Sequence, residues 1–354
     1  MKNPFRFGTI VQDDAFTDRV VEQQTVKEVI QSKNHLIIIS ARRYGKSSLI
    51  HKTLSSISRP AILLDLQLVS DPTDFATQLL KKTFEKYKIE KIKHHLTHFR
   101  VIPNVSLNPL TNAINISFQP NIDSLVALEE VLNLIDKIGE KGEKPIVVLD
   151  EFQEILNIDS HLDKKLRAIM QLHQNVNYVF LGSAESMMHE IFEKKKSPFY
   201  HFGFIMTLQK IAYEDFYAFL KDKFSCFTID TDKLTNDILT LTQCHPYYTQ
   251  QIAFQCWNNA EKNILEEQIF LQSFNEVLHF HDNDYERLWN TLNQTDKKVV
   301  TALAENTLKL IDNPTSTIYS SLTRLTKQGF LIKDKSYTID DPFFKAWIIT
   351  KRNQ

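Results

Sequence analysis

Over roughly the first 205 residues, short uninterrupted apolar runs alternate with longer stretches in which apolar positions recur every three or four residues. Runs of the first kind cover 36–39, 60–65, 146–149 and 178–181 and predict strands; the second kind covers 46–56, 74–88, 125–138 and 161–173 and predicts helices. A strand that is apolar at every position, and not at every second one, is buried on both faces. The pattern therefore predicts an α/β core, a parallel sheet with helices on both sides. One segment breaks the alternation. Between Phe99 and Gln119, residues Val101, Val105, Leu107, Ile114, Ile116 and Phe118 stand among Asn and Pro, which predicts a β-hairpin inserted into the core.

From about residue 206 the strand pattern ends. Helical periodicity over 213–224, 231–242 and 247–260 predicts a small all-α subdomain, a lid. Near 286 the pattern changes again: helices at 296–305 and 317–328, Gly329 where a C-terminal cap needs a left-handed residue, then short apolar runs at 330–332 and 337–339. Helix, helix and two-stranded hairpin is the winged-helix arrangement. The expected division is 1–205, 206–285 and 286–354, with the polar cluster His279, His281, Asp282 and Asp284 read as the linker into the last part.

Composition narrows the class. A chain of 354 residues, 42% hydrophobic and 24% charged, has room for two or three cored domains. Lys plus Arg number 42 against 43 acidic residues, so nucleic-acid binding would have to come from a local patch. The three cysteines form no CxxC pair and fit a reducing compartment. No run is long enough to cross a bilayer, and the start of the chain has no signal-peptide pattern. The expectation is a cytoplasmic protein without membrane contact.

The chemistry concentrates behind the first strand, in Ser40-Ala41-Arg42-Arg43-Tyr44-Gly45-Lys46-Ser47-Ser48. A triphosphate needs converging backbone N–H donors, a helix N-terminus, one flexible cation and a hydroxyl for Mg²⁺. Gly45, Lys46 and Ser47 are placed to supply them. The loop departs from the full pattern in one place: Ser40 occupies the first glycine position, at a cost of about 1 kcal/mol if φ is positive there. By itself Gly-Lys-Ser is also an ordinary helix start.

About 100 residues on, four aliphatics run into Asp150-Glu151, two carboxylates at a strand's C-terminal end, where doubly wound sheets bind ligands. Asp150 is the candidate to hold Mg²⁺ and Glu151 to activate the attacking water; as an alternative, Asp150 caps the next helix. Gly182-Ser183 closes the fourth strand, and Ser183 either senses the γ-phosphate or steadies that water, or else makes a plain turn. His94, His95 and His98 have one helical spacing but no evident further ligand, so a basic surface is the better reading.

These residues resemble the archaeal-type ATPases within the AAA+/STAND group of P-loop NTPases, over about 5–347. The resemblance rests on Arg42 to Leu49, on Leu149-Asp150-Glu151-Phe152-Gln153-Glu154, on Gly182-Ser183, on Ser197-Pro198-Phe199-Tyr200, on His245-Pro246-Tyr247-Tyr248 and on Asp340-Asp341-Pro342-Phe343-Phe344-Lys345-Ala346-Trp347. It implies an ATP-hydrolysing core, a helical lid and a C-terminal winged helix. It places Phe16 and Arg19 near the adenine, and His245 and Pro246 on the nucleotide from the lid. Two departures stand out. Cys244 is found where the family usually carries glycine, and His201-Phe202 where many relatives carry an arginine.

The leading expectation is thus an ATP-driven switch or motor using Mg²⁺. The alternative is a nucleotide-gated regulatory module with little turnover. On 317–328, Ser320, Ser321, Thr323, Arg324 and Lys327 are expected to face outward, toward DNA or toward a protein partner or second copy.

Overall fold

The computed structural model describes the chain except residues 1, 12, 88–91, 93–95, 98, 108–113, 120–122, 141, 309–314, 334–335 and 353–354. The three histidines of 94–98 lie outside the described residues. The chain folds as two compact units, one made of Met1–Arg19, Arg43–Ser48 and Gln209–Gln354, the other of Val20–Arg42 and Leu49–Leu208.

The second unit holds a five-stranded parallel sheet of β1 (Leu36–Ile39), β2 (Ala61–Asp65), β5 (Ile146–Asp150), β6 (Asn177–Gly182) and β7 (Phe204–Thr207), in the order β2-β5-β6-β1-β7. Every residue of β1 and β6 is buried, as continuous apolar runs require of central strands. β7 is an element the sequence pattern does not separate from the helices after it. Four residues at a sheet edge, with Phe204 and Thr207 exposed, carry too little pattern to stand out.

Helices Pro72–Lys86 and Ser124–Glu140 bury Phe75, Leu79, Leu80, Leu128, Val131 and Ile135 in this unit's core. The first starts two residues before its expected position because Asp71 caps it, accepting from Thr73 and Asp74 N–H, with Pro72 in the first turn. The expected hairpin is present as β3 (Asn104–Leu107) and β4 (Ile114–Ser117), with Val105 opposite Ile116. Val105, Ile114 and Ile116 pack on the core, while Ser106, Asn115 and Ser117 are exposed. At the opposite end of the sheet from the strand C-termini, Arg59 ties three segments, donating to the carbonyls of Lys144 at 2.7 Å and Ile30 at 2.6 Å and to Oδ1 of Asn177 at 2.5 Å.

The first unit is mostly helical and has its own core around Phe216, Phe224, Ile252, Val299, Leu325 and Phe343. Helices Tyr213–Phe224, Thr231–Thr242 and Pro246–Glu261 are followed by a 26-residue helix, Glu266–Thr291. The cluster read from sequence as a linker lies inside that helix. His281 pairs with Gln251 at 2.7 Å and Asp282 accepts from the Trp347 indole at 2.6 Å, so these polar side chains dock helices together. Then come helices Gln294–Ala304 and Thr315–Lys327, the hairpin of β8 (Leu331–Lys333) and β9 (Tyr337–Ile339), and a final helix, Pro342–Arg352.

Two expectations for the helix Thr315–Lys327 need correcting. Ser321 is fully buried and donates to Asp296. Arg324 does not project outward alone: its guanidinium forms two hydrogen bonds to the Asp296 carboxylate, Nε to Oδ2 at 3.0 Å and Nη2 to Oδ1 at 2.5 Å. Burial alone would raise the Asp296 carboxyl's pKa, but the bonds from Arg324 and Ser321 outweigh it and hold the group below the usual carboxylate range. Tyr319, Ser320, Thr323 and Lys327 remain exposed on that helix.

Candidate nucleotide site

β1 ends at Ile39, and Ser40 N–H donates to the Gly182 carbonyl at 3.4 Å, so the loop begins in ladder register with β6. Ser40 is fully buried, and its hydroxyl donates to the Ala41 carbonyl at 3.0 Å. It is absent from the positive-φ residues among those described, so the strain expected for a serine in this position does not arise. The left-handed positions of the loop are instead Arg43 (φ 66°) and Gly45 (φ 90°). Only glycine adopts the second without strain. Arg43 adopts the first at a cost of roughly 1 kcal/mol.

The helix Lys46–Leu54 starts at once, with Lys46 buried and Ser48 accepting from Val11 N–H through its hydroxyl at 2.9 Å. Arg19 is buried and donates to the carbonyls of Tyr44 at 3.3 Å and Gln209 at 2.6 Å. Its cation is therefore spent on holding the turn of the loop. Phe16 is half-buried, next to Ala15, whose carbonyl accepts from Gln250 at 3.0 Å. Arg42 is exposed, and Ala41 and Ser47 are half-buried.

The acids sit two strands over, beyond β6. Asp150 closes β5, and Glu151 turns the chain in a left-handed conformation (φ 51°) with its N–H on Asp150 Oδ1 at 2.9 Å. A non-glycine residue held this way costs of order 1–3 kcal/mol and needs surrounding support. Phe152 supplies it: fully buried, its ring lies 4.5 Å from Phe180, 5.3 Å from Phe199 and 5.5 Å from Phe192. Oε2 of Glu151 accepts from the Ser183 hydroxyl at 2.6 Å, from Ser183 N–H at 3.3 Å and from Gln153 Nε2 at 2.5 Å.

Ser183 thus meets Glu151 directly. Gln153, to which the sequence reading assigned no role, is a second donor to the same oxygen; its place two residues after Glu151 was the available signal. At Gly182 a Cβ would lie 2.3 Å from the Met188 sulfur, so any other residue would force the Met188 side chain to move. β6, which ends at Gly182 just before Ser183, lies between β1 and β5, and all three strands are parallel.

In the first unit, His245 is the N-terminal cap of Pro246–Glu261, accepting Tyr247 N–H on Nδ1 at 3.2 Å, with Pro246 in the first turn. That acceptor role leaves the proton on Nε2, which points toward Asp340 Oδ1 at 3.7 Å. Burial, reinforced by Lys210 and Arg43, lowers the His245 pKa to about 3, so the ring is neutral. It packs edge-on against Tyr44 of the loop, 4.9 Å between centroids. Cys244 is left-handed (φ 60°), a conformation glycine adopts freely.

A family model described as an ATPase domain predominantly from Archaea matches residues 16–252. The chain belongs to this family. This archaeal-type ATPase is an enzyme of the P-loop NTPase class. Its fold is similar to that of the Walker-type ATPase of Pyrococcus abyssi, with a TM-score of 0.69 at 18% identity over 98% of this chain and 99% of that one. The Aeropyrum pernix ORC2 protein, solved with ADPNP and ADP, is similar with a TM-score of 0.61 at 12% identity, covering 99% and 100%. The ORC1 protein of the same organism, solved with DNA, gives 0.50 at 12% identity, covering 96% and 94%. No curated protein matches the chain. Among the described residues, no helix of this ATPase is long and apolar enough to cross a membrane.

Proposed function

We propose that this ATPase binds ATP with Mg²⁺ at the loop 40–48 and hydrolyses it, with nucleotide state driving a switch or motor. The observation that carries the reading is a shared sheet edge. β1, β6 and β5 are parallel neighbours, so the start of the loop, Ser183 and the Asp150-Glu151 pair all issue from strand C-termini on one edge.

On this reading the loop's N–H groups and Lys46 bind the phosphates, with Lys46 neutralising charge that builds on the β,γ-bridge. Ser47 and Asp150 suit Mg²⁺, which takes one or two carboxylates together with phosphate oxygens. That ion would supply Lewis-acid stabilisation of the phosphates. Glu151 accepts the proton of the attacking water, positioned by Ser183 and Gln153. Phe16 and Arg19 border the base, with Arg19 acting through the Tyr44 carbonyl. His245 and Pro246 close the site from the lid.

The same reading assigns 1–205 to the ATPase core, 206–285 to the lid and 286–354 to a winged helix, in a cytoplasmic protein. Its partner surface is the exposed face of Thr315–Lys327, for DNA, another protein or a second copy. With Arg324 committed to Asp296, Lys327 is the cation left on that face among the described residues of the helix, which weakens the DNA option.

One observation favours a second reading, a nucleotide-gated module with little turnover: Oε2 of Glu151 is already taken by Ser183 and Gln153. Phosphate release by the purified chain decides between them. Under the first reading Glu151→Gln keeps ATP affinity and lowers turnover about 10²–10⁴-fold; equal release by wild type and variant would overturn it.

A further inference from the structure

Arg43 lies in the phosphate loop, yet its side chain is engaged elsewhere. The guanidinium carbon stands 4.5 Å from the centroid of the Tyr247 ring, and Nη1 donates to the Tyr248 hydroxyl at 3.4 Å. A phenol that accepts from a guanidinium still has its own proton to give. The Tyr248 hydroxyl faces the Asp341 carboxylate, which accepts from the Tyr285 hydroxyl at 3.1 Å. Asp341 in turn caps the final helix Pro342–Arg352: Oδ1 accepts Phe343 N–H at 2.8 Å and Phe344 N–H at 3.0 Å. Tyr248 also meets Phe343 edge-on at 5.8 Å. A continuous chain of contacts thus runs from loop guanidinium to phenol, to carboxylate, to two helix-capping amides.

We propose that Arg43 is a positioning residue, giving its backbone to the phosphate cradle and its side chain, through Tyr248, to the cap of the C-terminal helix. The proposal rests on the reading that this loop holds a nucleoside triphosphate. A triphosphate carries three to four negative charges, and it pulls on any guanidinium rooted in the loop. The bond from Arg43 to Tyr248 is already at the long end of the hydrogen-bond range, so a small displacement breaks it. Tyr248 is then held from one side only, and the grip of Asp341 on the two amides changes.

The test uses the full chain and a non-hydrolysable ATP analogue with Mg²⁺. Nucleotide affinity is measured first, then amide exchange at Phe343 and Phe344. In wild type the analogue should change that exchange by about fivefold or more, the lower range of allosteric coupling. Arg43→Met, compared with wild type at analogue concentrations that saturate each chain, should lose the exchange response. Tyr248→Phe, which keeps the ring packing, should lose it too.

A response that persists in either variant overturns the proposal, as does a wild type that binds the analogue without any response. So does an Arg43→Met chain whose affinity collapses, since Arg43 would then be a phosphate ligand. A wild type that binds no nucleotide at all removes the reading beneath and this inference with it, and that outcome is separable because binding is measured first.

Discussion

The hydroxyl of Ser183 donates to Oε2 of Glu151 at 2.6 Å, linking the end of β6 to the acid that directly follows β5. Two strand ends therefore share one carboxylate. Ser183→Ala leaves Glu151 with the Gln153 amide and one backbone N–H, and its orientation loosens. The expected result in steady-state phosphate release is an unchanged KM for ATP and a kcat lowered about tenfold. A kcat that rises would mean that the serine restrains the acid, as the low-turnover reading has it.

Phe152→Ala should be costly for two reasons at once. The ring is fully buried among Phe180, Phe192 and Phe199, and its loss leaves a cavity worth about 3–5 kcal/mol. It also releases the left-handed turn at Glu151. Urea unfolding should show the stability loss, and phosphate release should fall further than it does in Phe152→Leu, which fills most of the space.

The Asp296–Arg324 pair predicts an asymmetry. Asp296→Ala strands a buried hydroxyl at Ser321 and frees the guanidinium, for a loss of about 1–3 kcal/mol. Arg324→Ala leaves the buried carboxylate without its cation, held by Ser321 and the Asn293 backbone. Since the pair holds the Asp296 pKa below its unfolded value, the stabilisation is present above the unfolded pKa and is lost as pH falls through the folded one. Thermal melts of Asp296→Asn should accordingly be less sensitive to acid than those of wild type.

His35 sets a second pH dependence with the same direction and a different window. Burial, with His173 and Arg167 adding to it, lowers its pKa to about 4, and its Nδ1 accepts Tyr178 N–H at 3.2 Å. Between pH 6.5 and 4 the unfolded chain binds the extra proton, so stability is full above 6.5 and falls as pH drops toward 4. The loss at pH 5 is about 1–2 kcal/mol relative to pH 7. Urea midpoints at the two pH values should converge in His35→Asn, whose amide oxygen can still accept from Tyr178. An undiminished pH difference in that variant would remove His35 as the cause.

The parallel sheet was readable because β1 and residues 178–181 of β6 are apolar at every position, a pattern that only a strand covered on both faces needs. The loop and the acid pair were readable because their chemistry is written in consecutive residues. The contact of Glu151 with Gln153 and Ser183 was not, since it depends on a left-handed turn that no side-chain pattern announces. The linker expected at 279–284 proved helical for a similar reason. His281 and Asp282 look like solvent-facing polar residues in one dimension, and their partners Gln251 and Trp347 are distant in sequence. Arg324 misled in the same way: its partner, Asp296, sits on a different helix.

The helix Glu266–Thr291 runs unbroken for 26 residues, about 39 Å at the usual rise. Its first half hydrogen-bonds to Asn259 through Ser273 and Glu276, and its second half holds Asp341 and Trp347 through Tyr285 and Asp282. A rod fastened at both ends has no joint in its middle. Any displacement of the helices beside residue 259 must therefore arrive undivided at the final helix, Pro342–Arg352, as the movement of one lever arm.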